Sequence, residues 1–377
     1  MSNLFDYLDW RGDLSFSASP FNEVDNLILS ILTSFDFENI VPPPNEGGVL
    51  RLQDAAEAYF RNQAPPRLGA LMSENYPKLL HRCASCERFR SMELSGYVAQ
   101  SDEVSEEQFA TLTFHLPNDT LYVGFRGTDD TLIGWKEDFN LAFLDAIPSQ
   151  LSALHHVQRV AEQYPTHTLY LGGHSKGGNL AMYSAVHCDP ALQQRILRIY
   201  NNDGPGLSLS VDAGEHDEIL SRVHTIVPQS SVVGMLLRHS DSYHVVYSTN
   251  LGLFQHDGFS WQVMGTAFVR EDTVDRHSRI ADQSLRELLR GLDRSQREAF
   301  VDALYEVLTS NGVKTLTELR SGGVKNALHM AKVASTLDAS THEVLFTALR
   351  YLLVGSAKGL LEELQQGENF PFRKHLS

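Results

Sequence analysis

The chain has 377 residues, 42% of them hydrophobic and 21% charged, and a formal net charge of −16. This composition is typical of a globular protein with a large core, and the acidic excess disfavours binding to nucleic acid or to an anionic membrane surface. The first residues lack a basic stretch followed by an apolar one, and no apolar run is long enough to span a bilayer. We therefore predict no signal peptide and no transmembrane segment. The chain has only three cysteines, which is typical of a protein in a reducing compartment, so we predict a cytoplasmic location.

The first 95 residues carry mainly helical patterns. The stretch PFNEVDNLILSILTSF opens with Pro20 and repeats apolar residues at helical spacing, and the stretches RLQDAAEAYFRNQ and YPKLLHRCASCERFRSM are also predicted to be helices. Because these helices precede the remaining patterns, we hypothesise that residues 1–95 cover the functional site as a lid. Cys83 and Cys86 form one C-x-x-C pattern without a second, so we place both on a helix surface and expect no metal and no cofactor.

Residues 96–268 alternate between strand and helix patterns. Two β-rich runs, QFATLTFHL and TLYVGFRG, are separated by PND, which predicts a hairpin. The amphipathic stretch SQLSALHHVQRVAEQYP, the strand HTLYLGG and the helix GNLAMYSAVHC follow, and then the short strands ILRIYNND, RVHTIVPQ, YHVVYST and FSWQVMG. This alternation predicts an α/β fold with a mostly parallel sheet flanked by helices.

Residues 269–377 are predicted to form a C-terminal helical extension. The stretch SQREAFVDALYEVLTSNG starts with a capping box of Ser295 and Glu298, and its last two residues, Asn and Gly, are a typical helix stop. Ser340 and Glu343 repeat the same start signal before VLFTALRYLLV. Nothing in these helices indicates chemistry, so we interpret the extension as a packed appendage.

The pattern G-x-S-x-G at residues 173–177 is the main indication of chemistry. A predicted strand precedes it and a predicted helix follows it, which is the context of the nucleophile elbow in α/β-hydrolases. We therefore predict that Ser175 is a nucleophile; the alternative is a glycine-rich turn with no catalytic role. A nucleophilic serine needs a histidine base, a carboxylate behind it and two N–H donors for the oxyanion, and the backbone N–H of Lys176 is expected to be one donor.

Longer motifs around this pattern resemble a known family. VGFRGTDDTLIGWKEDF and GGHSKGGNLA resemble the class 3 lipase branch of the α/β-hydrolases, and the chain is more similar still to the bacterial Mbeg1-like family of predicted hydrolases. The motifs YLDWRGDLSF, PFNEVDNLILS, NNDGPG and QHDGFSW carry this second resemblance, which spans about residues 4–262. The resemblance implies an α/β-hydrolase fold and a hydrolytic reaction, but it implies no substrate.

The resemblance also implies a second oxyanion donor. Class 3 lipases use the residue that follows the FRG strand end, which is Thr128 in this sequence. The alternative is that Thr128 caps the turn that follows it. We interpret Arg126, Trp135 and Asp138 as structural, with an Arg–Asp pair that braces the end of the FRG strand.

The base has to be a histidine that follows Ser175 in the chain. The candidates are His187, His216, His224, His239, His244 and His256. His256 comes late in the core, in a loop before an aromatic run, and the family comparison places the base there too. We therefore predict His256 as the base, with His239 as the second candidate.

The acid is open to three interpretations. Class 3 lipases place an aspartate after the strand that corresponds to RVHTIVPQ, where this sequence has Gln, Ser and Ser. Asp203 could serve instead from the end of the preceding strand, although it could also form only an Asx turn. Asp257 is the second candidate, and the third is a Ser–His dyad in which Ser231 or a backbone carbonyl orients the imidazole.

The predicted function is that of a serine hydrolase that cleaves a carboxylic ester through an acyl-enzyme. The expected partner is a small-molecule acyl ester, such as a lysophospholipid, a monoacylglycerol or a thioester. The alternatives are an acyltransferase or a peptidase with the same nucleophile, or a catalytically silent binding protein. The side chain of Lys176 is interpreted as partly solvated at the helix start, or as binding an anionic group of the substrate.

Overall fold

The computed structural model describes residues 2–62, 74–129, 131–141, 144–207, 214–231, 233–235, 237, 243–250, 252–274, 294–309, 312–315 and 318. The helices in this part of the chain are α1 Leu4–Arg11, α2 Glu23–Leu32, α3 Leu52–Asn62, α4 Asn75–Ser85, α5 Leu132–Asn140, α6 Pro148–Gln163, α7 Lys176–His187, α8 Pro190–Gln193, α9 Asp217–Leu220 and α10 Arg294–Thr309. The strands are β1 Leu50–Arg51, β2 Glu93–Asp102, β3 Glu107–Leu116, β4 Thr120–Phe125, β5 Thr168–His174, β6 Ile196–Asn202, β7 Val223–Pro228, β8 Tyr243–Val246, β9 Val263–Met264, β10 Ala267–Phe268 and β11 Arg270–Glu271. Short 3₁₀ helices cover Gly214–His216, Val233–Met235, Gly252–His256 and Gly258–Ser260.

Nine strands form one mixed sheet in the order β1-β2-β3-β4-β5-β6-β7-β8-β11. Strands β4 to β8 pair in parallel with their neighbours, whereas β1 to β4 and the β8–β11 pair are antiparallel. Strands β9 and β10 form a separate two-stranded sheet. The predicted α/β fold with helices flanking the sheet is therefore confirmed, and the parallel strands form the centre of the sheet.

The predicted hairpin is also confirmed, because β3 pairs antiparallel with β4. Its turn contains Asn118 at φ 61° and Asp119 at φ 49°. Asn and Asp tolerate this left-handed conformation better than most residues do. The PND tripeptide is therefore suited to reverse the chain at this point.

Alternating residues of the central strands face two separate hydrophobic layers, as strand geometry requires. Leu121, Val123 and Phe125 of β4 pack with α6 and α7, whereas Tyr122 packs into the layer that contains α1 and α2. The helices therefore cover both faces of the sheet.

Helix α2 forms much of the second layer, and all its residues from Val24 to Leu32 are buried. It begins at Glu23 with Asn22 as the N-cap, three residues after the predicted start at Pro20, because the Asn22 side chain accepts hydrogen bonds from the first turn. Asn26 Nδ2 donates to Asn202 Oδ1 at 2.8 Å. Helix α2 therefore forms a buried layer of the fold, and the hypothesis that residues 1–95 act as a lid stays a prediction. The boundary near residue 95 stays a prediction.

Helix α10 packs against α5, where the ion pair between Lys136 and Asp302 measures 2.8 Å. The helix begins at Arg294, so Ser295, which the capping box predicts as the N-cap, lies inside it. The second predicted start at Ser340 lies outside the described residues, and the boundary near residue 268 stays a prediction. Within the described part of the chain, no helix is long and apolar enough to cross a membrane.

Candidate active site

The sheet brings the predicted site residues to one edge. Ser175 follows β5, Asp203 follows β6 and Thr128 comes three residues after the end of β4. These strands are parallel neighbours, so their carboxyl ends meet at the same edge, where open α/β sheets place their ligands. His256 lies at the end of the 3₁₀ helix Gly252–His256, which follows β8.

Ser175 occupies the sharp turn between β5 and α7. Its backbone adopts φ 58° and ψ −134°, a conformation that costs a non-glycine residue on the order of 1–3 kcal/mol. The Ser175 N–H donates to the carbonyl of Asn202 at 2.9 Å, which ties the turn to the end of β6. The strand–turn–helix context that the G-x-S-x-G pattern predicted is confirmed.

The carboxylate of Asp203 contacts the imidazole of the predicted base, His256. Oδ2 of Asp203 lies 2.7 Å from Nδ1 of His256, and the Asp203 side chain is only 1% exposed. The other oxygen, Oδ1, accepts a hydrogen bond from Ser231 Oγ at 2.5 Å. Because Nδ1 of His256 is engaged by the carboxylate, Nε2 is the ring nitrogen available to exchange a proton with a hydroxyl group.

The turn that carries Asp203 is closed by another residue. Asn201 Oδ1 accepts the N–H of Gly204 at 2.9 Å, and Asn201 Nδ2 donates to the Gly204 carbonyl at 3.0 Å. Asn201 therefore makes the Asx-type bonds that could have occupied Asp203. Asp203 itself, at φ 51°, presents its carboxylate to His256.

The other acid candidates have different contacts. Asp257 accepts the N–H of Phe259 at 3.1 Å and caps the 3₁₀ helix Gly258–Ser260, and burial raises its pKa. Ser231 bonds to Asp203 and not to the imidazole, so it supports the carboxylate. The second base candidate, His239, lies outside the described residues.

His174 and Gln255 form hydrogen bonds that fix the backbone around His256. His174 Nε2 donates to the carbonyl of His256 at 2.8 Å, and burial lowers the pKa of His174 to about 3, so its ring is neutral. Gln255 Oε1 accepts the N–H of Ser230 at 2.7 Å, and its carbonyl accepts Trp261 Nε1 at 2.8 Å. Sequence reasoning missed both residues, although His174 stands inside the G-x-S-x-G pattern.

The end of the FRG strand lies against the elbow. A β-carbon built on Gly127 would be 3.1 Å from Ser175 Cβ and 2.7 Å from the His174 carbonyl, so glycine permits this close approach. The next residue, Thr128, donates its hydroxyl to Asp138 Oδ2 at 2.5 Å. Burial raises the pKa of Asp138 from 3.8 to about 6.

The expected Arg–Asp brace of the FRG strand end does not involve Asp138. Arg126 contacts Asp129 at 3.5 Å, whereas Asp138 accepts the hydroxyl of Thr128. The aspartate ten residues after Thr128 therefore orients the predicted oxyanion residue.

Both interpretations of the Lys176 side chain are wrong. It is 1% exposed, and its ammonium group lies 2.7 Å from the carboxylate of Glu137, which is fully buried. It also donates to the carbonyl and to the side-chain oxygen of Gln108 at 2.8 and 3.0 Å. Three acceptors satisfy the three N–H groups, so the side chain is neither solvated nor available to an anionic substrate.

The cysteines of the C-x-x-C pattern do not both lie on a helix surface. Cys83 is fully buried in α4, and burial raises the pKa of its thiol, which disfavours the thiolate that a metal needs. Cys86 follows the helix and is half-buried. In the part of the chain that the structure describes, no group of three or more His, Cys, Asp or Glu residues is arranged to hold a metal ion.

Comparison with known proteins identifies one family and several similar structures. A family model described as Mbeg1-like matches residues 83–306. Lipase II from Rhizopus niveus is 15% identical with a TM-score of 0.34, over 48% of this chain and 74% of that one. Lip2 lipase from Yarrowia lipolytica is 12% identical with a TM-score of 0.33, over 48% and 71% of the two chains.

A third similar structure is the native Rhizomucor miehei lipase–propeptide complex. It is 18% identical with a TM-score of 0.29, and the match covers 42% of this chain and only 57% of that one. Curated protein sequences provide no match. At these identities and TM-scores, the similarity assigns no chemistry to the site.

Proposed function

The chain belongs to the Mbeg1-like family, and on that premise we propose that it is a serine hydrolase that cleaves a carboxylic ester through an acyl-enzyme on Ser175. The observation that carries the proposal is the 2.7 Å contact between Asp203 and His256. It lies at the sheet edge where Ser175 occupies a strained turn. A serine, a histidine and a carboxylate at one sheet edge are the residue types that acyl transfer needs.

In the proposed reaction, Ser175 Oγ attacks the acyl carbonyl while Nε2 of His256 accepts the hydroxyl proton. Asp203 holds the imidazole by Nδ1 and stabilises the imidazolium ion that forms. The backbone N–H groups of Lys176 and Thr128 donate to the oxyanion. His256 then gives its proton to the leaving oxygen or sulfur, and the acyl-enzyme is hydrolysed by a water that His256 activates.

The substrate classes that we propose are lysophospholipids, monoacylglycerols and thioesters. The Lys176 ammonium is neutralised by Glu137 within the protein, so the residue after the nucleophile supplies no free cation to a substrate. The high net negative charge also disfavours substrates with a strongly anionic group near the scissile bond. Within these classes, both observations favour esters without a strongly anionic group, such as monoacylglycerols.

Labelling with a fluorescent fluorophosphonate probe tests the proposal, because the probe reacts with activated serines. We expect the wild-type protein to be labelled and the Ser175→Ala variant to remain unlabelled. Ser184→Ala is the matched control, since Ser184 lies on the same helix α7, and it should be labelled at the wild-type rate. Absence of wild-type labelling contradicts the proposal and favours a silent binding protein, whereas equal labelling of Ser175→Ala contradicts it by assigning the reactivity to another residue.

A panel of p-nitrophenyl esters from acetate to palmitate then tests the ester specificity. We expect a preferred acyl length and complete loss of turnover in Ser175→Ala. Release of free acid in the presence of an added alcohol supports hydrolysis, whereas formation of a new ester identifies an acyltransferase. Turnover that persists in Ser175→Ala assigns the activity to another group.

A further inference from the structure

A fully buried ion pair lies directly beside the proposed nucleophile. Lys176 follows Ser175, and its Nζ is 2.7 Å from Oε2 of Glu137, with side chains 1% and 0% exposed. Taking two charges out of water is costly, and apolar pairs of similar size are often at least as stable. A contribution to stability alone is therefore a weak explanation for this pair.

The pair joins the elements that surround the elbow. Besides Lys176, Glu137 accepts the N–H of Gln108 in β3 at 3.1 Å and the N–H of Ser149 in α6 at 2.9 Å. Gln108 in turn accepts two hydrogen bonds from the Lys176 ammonium. Helices α5, α6 and α7 and strand β3 are thus held together at one buried point.

The same turn of α5 holds both proposed oxyanion residues. Glu137 binds the side chain of Lys176, and the next residue, Asp138, binds the hydroxyl of Thr128. Two consecutive carboxylates therefore hold the two residues whose backbone N–H groups would donate to the oxyanion. Oxyanion donors lose much of their effect when they move by a fraction of an ångström.

We propose that the Lys176–Glu137 ion pair is a positioning device that sets the start of α7 against α5 and so fixes the spacing of the two oxyanion donors. The inference rests on the proposed function. Neither side chain touches the reacting atoms, so both are positioning residues. The charge on Lys176 serves geometry within the protein and not recognition of the substrate.

The experiment measures the concentration dependence of fluorophosphonate labelling, which separates the maximal rate of inactivation from probe affinity. We expect Glu137→Gln to lower the maximal rate about 10- to 100-fold while the concentration for half-maximal rate stays near the wild-type value. The double variant Lys176→Met/Glu137→Leu replaces the pair with apolar side chains of similar size. It also removes the acceptor of the Gln108 and Ser149 N–H groups, so the Tm should fall, and the folded protein should still be labelled slowly.

The matched control is another fully buried ion pair, between Arg88 and Asp25, whose side chains are both 0% exposed. It joins α2 to the segment after α4 and to the loop before α2, and not to the elbow. Asp25→Asn should lower the Tm and leave the maximal labelling rate of the folded protein unchanged. Equal slowing by Asp25→Asn would assign the effect to general loss of stability and overturn the inference.

The failure of this inference differs from the failure of the proposed function. If wild-type protein is labelled at Ser175 and Lys176→Met/Glu137→Leu is labelled at the same maximal rate, the ion pair has no positioning role although the hydrolase assignment stands. If wild-type protein is not labelled, the hydrolase assignment itself fails. The double variant decides the question even if Glu137→Gln does not fold.

Discussion

Oδ2 of Asp203 and Nδ1 of His256 lie 2.7 Å apart, although 53 positions separate the two residues in the chain. The carboxylate is buried, and its second oxygen is bonded to Ser231. Of the three interpretations of the acid, only the one with Asp203 has a side chain in contact with the imidazole of His256 within the described residues. This contact makes Asp203 the group to test first.

Asp203→Asn is expected to slow fluorophosphonate labelling by about 10³- to 10⁴-fold, because an amide cannot stabilise the imidazolium ion and favours the wrong tautomer. Asparagine tolerates the left-handed backbone that Asp203 adopts at φ 51°, so the turn should be retained. Labelling rates and circular dichroism of both proteins check the prediction.

Asp257→Asn is the control for that change. Asparagine can replace the cap that Asp257 provides to Phe259, so we expect a labelling rate near that of the wild type. Strong slowing in Asp257→Asn together with normal labelling in Asp203→Asn would reverse the assignment of the acid.

The elbow could be predicted from the sequence because its signals are local. Glycines, an apolar run and a helical pattern lie within a few residues of Ser175. The sequence offers several candidates for the acid and does not decide between them, because contact with His256 depends on which strands are neighbours in the sheet. The environment of the Lys176 side chain is predicted wrongly for the same reason. Its partner Glu137 lies 39 positions away in the chain, so the sequence pattern near Lys176 does not indicate that the side chain is buried.

Helix α2 shows the same limit for the fold. The apolar spacing predicts the helix, but its place is set by partners far along the chain, such as Asn202, which is 176 positions from Asn26. Periodicity reports which face of a helix is apolar, and it does not report which layer covers that face. The hypothesis of a lid arose from chain position alone.

Asp138→Asn is expected to stabilise the protein at neutral pH by about 1 to 3 kcal/mol. Burial raises the pKa of Asp138 from 3.8 to about 6, so the folded state binds the proton more tightly than the unfolded state does. The wild-type free energy of unfolding therefore falls as the pH rises through this interval. Asparagine lacks this penalty and can still accept the Thr128 hydroxyl.

The pH dependence of this stabilisation provides an internal control. The gain in the free energy of unfolding should be complete above pH 6 and should disappear below the unfolded pKa of 3.8. Urea unfolding of both proteins at several pH values measures it. A gain that is the same at pH 7.5 and at pH 3.5 would mean that the Asp138 charge is not its cause.

Gly134→Ala is expected to disturb the oxyanion segment. A β-carbon at this position in α5 would lie 3.0 Å from Thr128 Cγ2 and 3.1 Å from Gln108 Oε1, closer than ordinary van der Waals contact. Either the helix or Thr128 has to shift, so we expect the maximal labelling rate to fall by about tenfold. Thr128→Ser removes the crowded methyl group and keeps the hydroxyl that binds Asp138.

The double variant Gly134→Ala/Thr128→Ser should therefore recover part of the lost rate, and Thr128→Ser alone should be labelled nearly as fast as the wild type. The four proteins form a double-mutant cycle. Additive effects of the two substitutions would show that the contact with Thr128 is not the source of the loss.

Leu27→Ala is expected to lower the free energy of unfolding by about 2 to 5 kcal/mol, because α2 belongs to the core of the sheet. Leu27 is fully buried, and a β-carbon built on Gly258 would lie 3.1 Å from its Cδ2, so the helix also packs on the segment just after His256. Leu151→Ala on α6 is the matched control, since Leu151 is 45% exposed and its loss should change stability by no more than about 0.5 kcal/mol. Urea unfolding followed by circular dichroism measures both. If Leu27→Ala leaves the stability unchanged and instead alters the preferred acyl length of the p-nitrophenyl esters, α2 acts as a lid over the site and not as a layer of the fold.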